Sequence, residues 1–245
     1  MEMVLLDWTR MGQAFCLAGA VAQDGGYRII RPLLVNNRNG AARNMGWPAY
    51  LLAGRSRWEI FELIGAQPAE SQAPHREDCW VRSLRPRNRS ASPEVRRAIL
   101  EDTATWDMDS PFGAPLRPAR IAAFLPPETG QRSLATIVIP SDEISFSFSQ
   151  REGAPAPDIR VMLPVPPMGE RLLIVKDHHL LAKVETATKE PARQITFLNQ
   201  AIQRMGSQAA VRLGLSRAFQ GDARQGAGMC WLMADGFFSL HDPQP

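Results

Sequence analysis

The sequence predicts a mainly β protein built as two small barrels, each a lobe of about five short strands. Three observations predict it. Short apolar runs of strand length recur along the 245 residues, with turn residues between them. Only two segments carry the signals of a helix. A stretch rich in proline and arginine, over residues 85–133, divides the strands into an earlier and a later set.

The first lobe is predicted over residues 1–84. Met3–Trp8 and Ala14–Ala22 are apolar runs of strand length, and Asp24-Gly25 supplies the turn of a hairpin to the next strand. That strand should end at Arg31-Pro32, because proline has no N–H to donate to a neighbouring strand. The last strands of this lobe are predicted at Trp58–Ile64 and Cys79–Leu84.

Residues 85–133 are predicted to connect the two lobes. The basic segment Arg85–Ala91 has no strand pattern and is expected to be irregular. Ser92-Pro93-Glu94 then begins a helix over about residues 92–103, because serine caps a helix, proline suits its first position and an acid favours its positive end. Prolines break up the remainder of the connection.

The second lobe is predicted over residues 134–245. Ile144–Ser149 alternates apolar and polar residues with the period of a half-buried strand. Apolar residues recur at helical spacing over about residues 193–205 and end at Gly206, which predicts a second helix. Further strands are predicted at Leu134–Ile139, Ile159–Leu163, Leu172–Val175, Leu180–Thr186, Ala210–Leu215, Met229–Leu232 and Phe237–Leu240.

At this size the five-stranded OB barrel is the natural unit for each lobe, so the fold class predicted is two OB-like barrels joined by the connection. A single mixed β-sandwich is the alternative.

The composition excludes several classes of protein. With 44% hydrophobic and 22% charged residues, the chain resembles an ordinary globular protein. No apolar run is long enough for a transmembrane helix, so no membrane partner is expected. Cys16, Cys79 and Cys230 are far apart and odd in number, which favours reduced thiols and a cytoplasmic location.

The positive charge is concentrated in the first part of the chain. Residues 1–97 carry 14 arginines against 9 acidic residues, whereas residues 98–245 have a small negative net charge. A basic region of this kind favours a polyanionic partner such as nucleic acid.

One short pattern occurs near both ends of the chain. Leu6–Arg10 and Leu213–Arg217 are both Leu-x-apolar-hydroxyl-Arg. Such a pair can bind a phosphate or carboxylate, because arginine presents a rigid fork of donors and the hydroxyl adds another. Chance is one alternative, and a structural role such as pairing with buried Asp7 is another. We expect the copies to mark the first strand of one barrel and a late strand of the other.

These observations predict a nucleic-acid-binding surface. Its two hydroxyl–arginine pairs would contact phosphates, and three other polar residues would line its edge, two of them in a polar loop over residues 36–40. The predicted residues are Thr9, Arg10, Arg31, Asn36, Arg38, Ser216 and Arg217.

No catalytic residue, cofactor or metal is predicted, because the sequence contains no complete catalytic motif and no phosphate-binding loop. The segment His75–Cys79 holds residue types that bind metals, but no second cluster pairs with it as a zinc site requires. A solvated loop is predicted there. A deep pocket that gathers Asp7, Arg10 and Arg217 would instead favour an enzyme.

Short segments at both ends of the chain also carry a family resemblance. They are Leu6–Arg10, Phe15–Gly19 and Ile30–Pro32, and then Leu213–Arg217, Cys230–Leu232 and Asp235–Phe238. Together they resemble the prokaryotic dual OB-containing domain family. The sequence departs from that pattern at Ser216 and Ala218, where threonine and proline are expected. The resemblance implies two OB barrels in one unit, a nucleic-acid-related role and a setting among bacterial conflict or defence systems. It transfers no catalytic residue.

The sequence therefore predicts a non-catalytic protein that binds RNA or single-stranded DNA and works with other protein subunits in a defence complex. A protein–protein interaction adaptor in a multi-subunit complex is the alternative, favoured by the proline-rich connection and the modest net charge of +3.

Overall fold

The computed structural model describes residues 1–11, 14–36, 43–44, 46–105, 107, 109–149, 158–218 and 228–240, without the side chains of Met11, Asn36, Arg43 and Asn44. Of the predicted site residues, Arg38 and the side chain of Asn36 therefore lie outside the described part. No helix within these ranges is long and apolar enough to cross a membrane.

The predicted fold class is confirmed, since the protein is mainly β and has two OB-like lobes. The first lobe contains β1 (Glu2–Met11), β2 (Ala14–Gln23), β3 (Gly26–Asn36), β4 (Arg43–Asn44), β5 (Trp47–Pro48), β6 (Glu59–Ile64), β7 (Gln67–Pro68), β8 (Asp78–Val81) and β9 (Ser83–Ser90). Helix α1 (Pro93–Thr103) follows. The second lobe contains β10 (Arg117–Pro118), β11 (Ala123–Leu125), β12 (Leu134–Pro140), β13 (Ser145–Ser149), β14 (Asp158–Pro164), β15 (Glu170–Val175), α2 (His178–Ala187), α3 (Pro191–Gln203), β16 (Gln208–Leu215) and β17 (Cys230–Ser239).

The first lobe is built on the antiparallel meander β1-β2-β3. The Asp24-Gly25 turn between β2 and β3 has φ values of 47° and 83°, the left-handed conformation that a two-residue hairpin needs. β3 then pairs in parallel with β8, and β1 pairs antiparallel with β6. The parallel pairing of the third strand with a later one gives this lobe its OB-like topology.

The second lobe has the same strand arrangement, but its barrel is open between a different pair of strands. β13, β14 and β15 form the meander, β15 pairs in parallel with β17, and β17 pairs antiparallel with β16. Helices α2 and α3 lie between β15 and β16. In the described chain the first barrel is open between β6 and β8, whereas the second is open between β13 and β16.

The two copies of the terminal pattern lie in different strands, as predicted. Leu6–Arg10 belongs to β1, the first strand of its lobe, and Leu213–Leu215 ends β16, the penultimate strand of the other lobe. The copies are therefore not equivalent positions of a repeat.

The prediction that β3 ends at Arg31-Pro32 is wrong, because the strand changes partner there. Its pairing with β2 ends at Ile30, and its pairing with β8 begins at Arg31, whose N–H donates to the carbonyl of Glu77 at 2.9 Å. Successive N–H groups of a strand point to opposite sides. Because the N–H of Arg31 points towards β8, the nitrogen of Pro32 points towards the β2 side, where pairing has already ended and no donor is needed.

Other predicted elements also differ from the structure, and the strand predicted over Cys79–Leu84 is divided between β8 and β9. Arg85–Ser90, predicted to be irregular, belongs to β9, an edge strand paired with β6. Leu180–Thr186, predicted as a strand, lies in α2, because Asp177 caps the helix through Leu180 N–H (2.9 Å) and Leu180 and Val184 bury one face of it. The two strands predicted near the C-terminus, Met229–Leu232 and Phe237–Leu240, are one continuous strand, β17.

Both predicted helices are confirmed, as α1 with its Ser92 cap and as α3.

An apolar core joins the two lobes. Trp58 and Ile60 of the first lobe and Ile99 of α1 form one buried cluster with Ala210 and Phe238 of the second lobe. The rings of Trp58 and Phe238 meet edge to face at 5.4 Å. Because neither lobe buries these side chains alone, the lobes are expected to unfold together.

Replacing Phe238 by alanine tests this coupling. The variant should lose about 3–5 kcal/mol of unfolding free energy, because it leaves a cavity in the shared core. Calorimetry should show one transition, shifted as a whole to lower temperature. Two separate transitions, of which only one moves, would show that the lobes unfold independently.

Candidate functional site

A cavity of about 200 Å³ lies between the lobes and is lined by residues of both. Five of the seven predicted site residues line it, namely Thr9, Arg10, Arg31, Ser216 and Arg217. The two terminal patterns therefore converge on one cavity. The other polar residues along its wall are Asp7, Cys16, Lys176 and Asp235, and the apolar ones are Leu17, Ala18, Leu134, Leu215 and Met233.

Two β-bulges place the buried acids of the cavity. In β17, Asp235 is the extra residue, because Gly236 pairs with Arg212 and Ala234 pairs with the following Leu213. In β1 the pairing skips Leu6, immediately before Asp7. A bulge redirects the side chain at the irregularity, and such irregularities are common beside functional sites. The side chains of Asp7 and Asp235 thereby reach the cavity from opposite lobes.

Gly214 makes room for the Asp235 carboxyl. A Cβ atom at Gly214 would lie 1.8 Å from Asp235 Oδ2, far inside contact distance. The glycine is therefore required by close approach within β16, where its φ is not unusual. The result is a carboxyl that is 4% exposed and whose Oδ1 has no hydrogen-bond partner among the described residues.

Burial gives both acids unusual acidities. Burial raises the pKa of Asp235 to about 7, and the negative charge of Asp7 adds to the effect, against the opposing charge of Arg31. Burial likewise raises the pKa of Asp7 to about 6, although Arg212 opposes it. Carboxyls with pKa values near neutrality in a cavity are characteristic of functional sites.

Arg31 lies deeper than predicted, within a buried polar network and not along an edge. Its guanidinium is 2.9 Å from His75 Nδ1, donates to Glu77 Oε1 at 3.1 Å and to the Ser133 hydroxyl, and lies 3.8 Å from Asp78 Oδ1. Since Ser133 immediately precedes β12, Arg31 links the two lobes.

The predicted solvated loop at 75–79 is therefore wrong. His75 and Asp78 are buried, and this segment supplies most of the partners of Arg31. Burial and the nearby Arg31 lower the pKa of His75 to about 2, so the imidazole is neutral. Within the described ranges no group of three or more His, Cys, Asp or Glu residues is arranged to hold a metal ion.

Arg217 and Ser216 each have a structural contact besides their place in the cavity. Arg217 Nη2 donates to Asp78 Oδ2 at 2.6 Å, and the Asp78 side chain is buried while that of Arg217 is 42% exposed. Ser216 Oγ accepts a hydrogen bond from the Trp231 N–H at 2.9 Å. Arg217 therefore has the structural ion pair that was the alternative to a binding role, but its partner is Asp78 and not Asp7.

Two further ion pairs between the lobes involve Asp7 and Asp177. Asp7 Oδ2 lies 3.7 Å from Arg212 Nε, and Asp177 Oδ2 lies 2.5 Å from Arg57 Nη2. Arg57 also donates to the Phe237 carbonyl at 3.0 Å. All these charged side chains are buried, and none was identified from the sequence as an interlobe contact.

A wider groove continues from the mouth of the cavity. Arg10 and Lys176 line both the cavity and this groove, which has a volume of about 620 Å³ and passes Phe148 and His178. Lys176 forms no ion pair with another residue in the described part of the chain. Cationic side chains therefore lie at the mouth, whereas the groove beyond it has the aromatic rings of Phe148 and His178 and the acids Asp158 and Glu185.

The sequence matches no protein-family model. No curated protein matches it either. Among solved structures it is similar to a murine DNA-binding protein bound to double-stranded DNA, with 7% sequence identity and a TM-score of 0.31, over 97% of this chain and 96% of the other.

A double-variant experiment tests the fit of Gly214 against Asp235. Gly214→Ala should lower the melting temperature, because the new methyl group collides with the carboxyl. In an Asp235→Ala background the same change should cost about 0.5–3 kcal/mol less, because the collision is gone. If denaturant unfolding shows that the stability losses of the two single variants simply add in the double variant, the proposed close contact between Gly214 and Asp235 is contradicted.

The raised pKa values predict how stability depends on pH. Between the ordinary value of 3.8 and about 7, folded Asp235 holds a proton that the unfolded chain has released, so its contribution to stability falls as pH rises through this range. The amide of Asp235→Asn cannot ionise, so this variant does not lose stability in this way as the pH rises. Its melting temperature relative to wild type should therefore rise from about pH 5 to about pH 8. A constant difference would contradict the assignment.

Proposed function

We propose that the protein binds single-stranded nucleic acid along the cleft between its lobes, with Arg10, Lys176 and Arg217 contacting phosphates. The observation that carries this proposal is the convergence of cations from both lobes on the mouth of one cavity. Two arginine forks and a mobile ammonium suit phosphate oxygens, which accept several hydrogen bonds at once.

The shape of the cleft favours a single strand over a duplex. Reading duplex DNA requires a helix or a ribbon that protrudes into a groove, whereas single strands follow a basic groove with rings for base stacking. Here the cationic mouth is concave and continues past Phe148 and His178. The described site therefore supports a partner whose backbone can bend into a narrow cleft.

We propose a binding role without catalysis. The cavity does gather Asp7, Arg10 and Arg217, the arrangement that would favour an enzyme. However, burial raises the pKa of the Cys16 thiol, which disfavours the reactive thiolate. The buried acids are also placed to pair with or face arginines across the lobe contact.

The biological setting is a separate part of the proposal. The resemblance to the prokaryotic dual OB-containing domain family supports a role as one subunit of a bacterial conflict or defence system, and the three separated cysteines support a cytoplasmic location. A role as an adaptor between proteins is the competing outcome. Partners that co-purify equally with and without nuclease, from a protein that binds no oligonucleotide, would favour the adaptor.

Salt dependence of binding tests the phosphate contacts. Anisotropy of labelled single-stranded DNA and RNA should give a log–log slope to which each phosphate contact contributes about −0.7. Arg10→Ala and Lys176→Ala should each make the slope shallower by about 0.7 and weaken binding to all sequences alike. Arg217→Ala is less informative, because it also leaves buried Asp78 without this partner.

The matched control is Arg85→Ala. Arg85 is 65% exposed on β9, pairs with Glu62 at 3.5 Å and is not part of the cavity wall. Its removal should leave both affinity and slope unchanged. An equal loss in this control, or a flat salt dependence in wild type, would overturn the proposed interface.

A further inference from the structure

We propose that the interlobe cavity is a receptor for one unpaired nucleobase, whose hydrogen-bonding edge is recognised by the carboxyl of Asp235. This inference deepens the proposed function, because it assigns the cavity to the base and the cationic mouth to the phosphate. The base can come from a nucleic-acid strand or from a free nucleotide, which present the same chemistry.

The size of the cavity suits a single planar ring. An apolar cavity of about 150 Å³ takes up one benzene molecule. The volume of about 200 Å³ between the lobes therefore accommodates a six-membered heterocycle with its substituents. Leu17, Ala18, Leu134, Leu215 and Met233 supply apolar wall on which ring faces can pack.

The unpaired carboxyl points to a polar ligand. Asp235 is 4% exposed, lines the cavity, and its Oδ1 has no hydrogen-bond partner among the described residues. A buried polar atom without a partner costs stability, so it requires an explanation. A ligand edge that donates or accepts beside this oxygen satisfies it.

The position of Asp235 is built into the fold at some cost. A bulge in β17 turns the side chain out of the strand register, and Gly214 leaves the space that its carboxyl occupies. A carboxyl has two oxygens side by side, which match the adjacent nitrogen and exocyclic groups along the edge of a nucleobase. An apolar residue would fill the same space with no buried polar atom to satisfy.

The mouth of the cavity completes a nucleotide site. Arg10, Lys176 and Arg217 line the same cavity as Asp235, so phosphate and base contacts belong to one continuous space. Enzymes that act on bases place a flipped base in a pocket of this kind and read its edge by hydrogen bonds. The interlobe cavity would recognise a base in the same way but would not react with it.

The experiment compares short single-stranded oligonucleotides with abasic strands of equal phosphate number. Wild type should bind the base-containing strands about 10-fold more tightly, the gain expected for one good pair of hydrogen bonds to a base edge. Asp235→Asn should keep this preference, because an amide also offers a donor and an acceptor. Asp235→Leu should lower this ratio to the part that base stacking in the groove supplies, and leave the salt slope unchanged.

A second measurement uses the unmodified protein, in case the leucine variant does not fold. Cys16 lines the cavity and is only partly buried, so its alkylation by iodoacetamide, followed by mass spectrometry, reports occupancy. The reaction is run at alkaline pH, because burial raises the pKa of this thiol and the thiolate is the reacting form. Base-containing strands should slow this alkylation several-fold, and abasic strands should not. Equal alkylation rates, or equal affinity for both kinds of strand, would overturn the base receptor while leaving phosphate binding intact.

Free nucleotides distinguish the two sources of the base. If mononucleotides protect Cys16 and oligonucleotides do not displace a fluorescently labelled mononucleotide from the protein, a free nucleotide is the ligand and the proposed strand binding is overturned. Displacement by oligonucleotides identifies a base within a strand. Protection by neither overturns the base receptor.

Discussion

The buried charges between the lobes are the constraint on which the rest of the structure depends. Asp7 faces Arg212, Arg57 faces Asp177, and Asp78 is shared between Arg31 and Arg217. Removing one member of such a pair leaves an uncompensated buried charge, which is far more costly than never having built the pair. The relative position of the lobes is therefore fixed by complementary charges as well as by the apolar cluster around Trp58 and Phe238.

The contact between the two lobes also creates the interlobe cavity. A junction between two barrels packed only by apolar side chains would have no need for acids or for a space beside them. Here the bulges that carry Asp7 and Asp235 bring carboxyls to the junction, and Gly214 keeps one of them from clashing. Among the described residues Asp235 Oδ1 has no hydrogen-bond partner, so part of the stability gained by joining the lobes is given up at the cavity.

The two barrels share one topology but bring different strands to the cavity. Each has a meander whose third strand pairs in parallel with a later strand, but the barrels open at different places. The first strand of one lobe and the penultimate strand of the other consequently meet at the same cavity. The matching sequences at their ends, Thr9-Arg10 and Ser216-Arg217, therefore converge in space although they are not related by a repeat.

From the amino-acid sequence alone we predict the β class, most of the strands, the two helices with clear caps or spacing, and the two hydroxyl–arginine pairs. These are local properties, since alternation, turn residues and caps act over a few neighbours. Three other features became visible in the folded chain: Arg31 is buried, residues 75–79 hold it, and Asp235 reaches a cavity. The helix over Leu180–Thr186 is different, because its Asp177 cap and the spacing of Leu180 and Val184 are local signals that the strand prediction missed. A strand partner, a bulge and a charge across a lobe contact all depend on residues distant in sequence, and no local pattern records them.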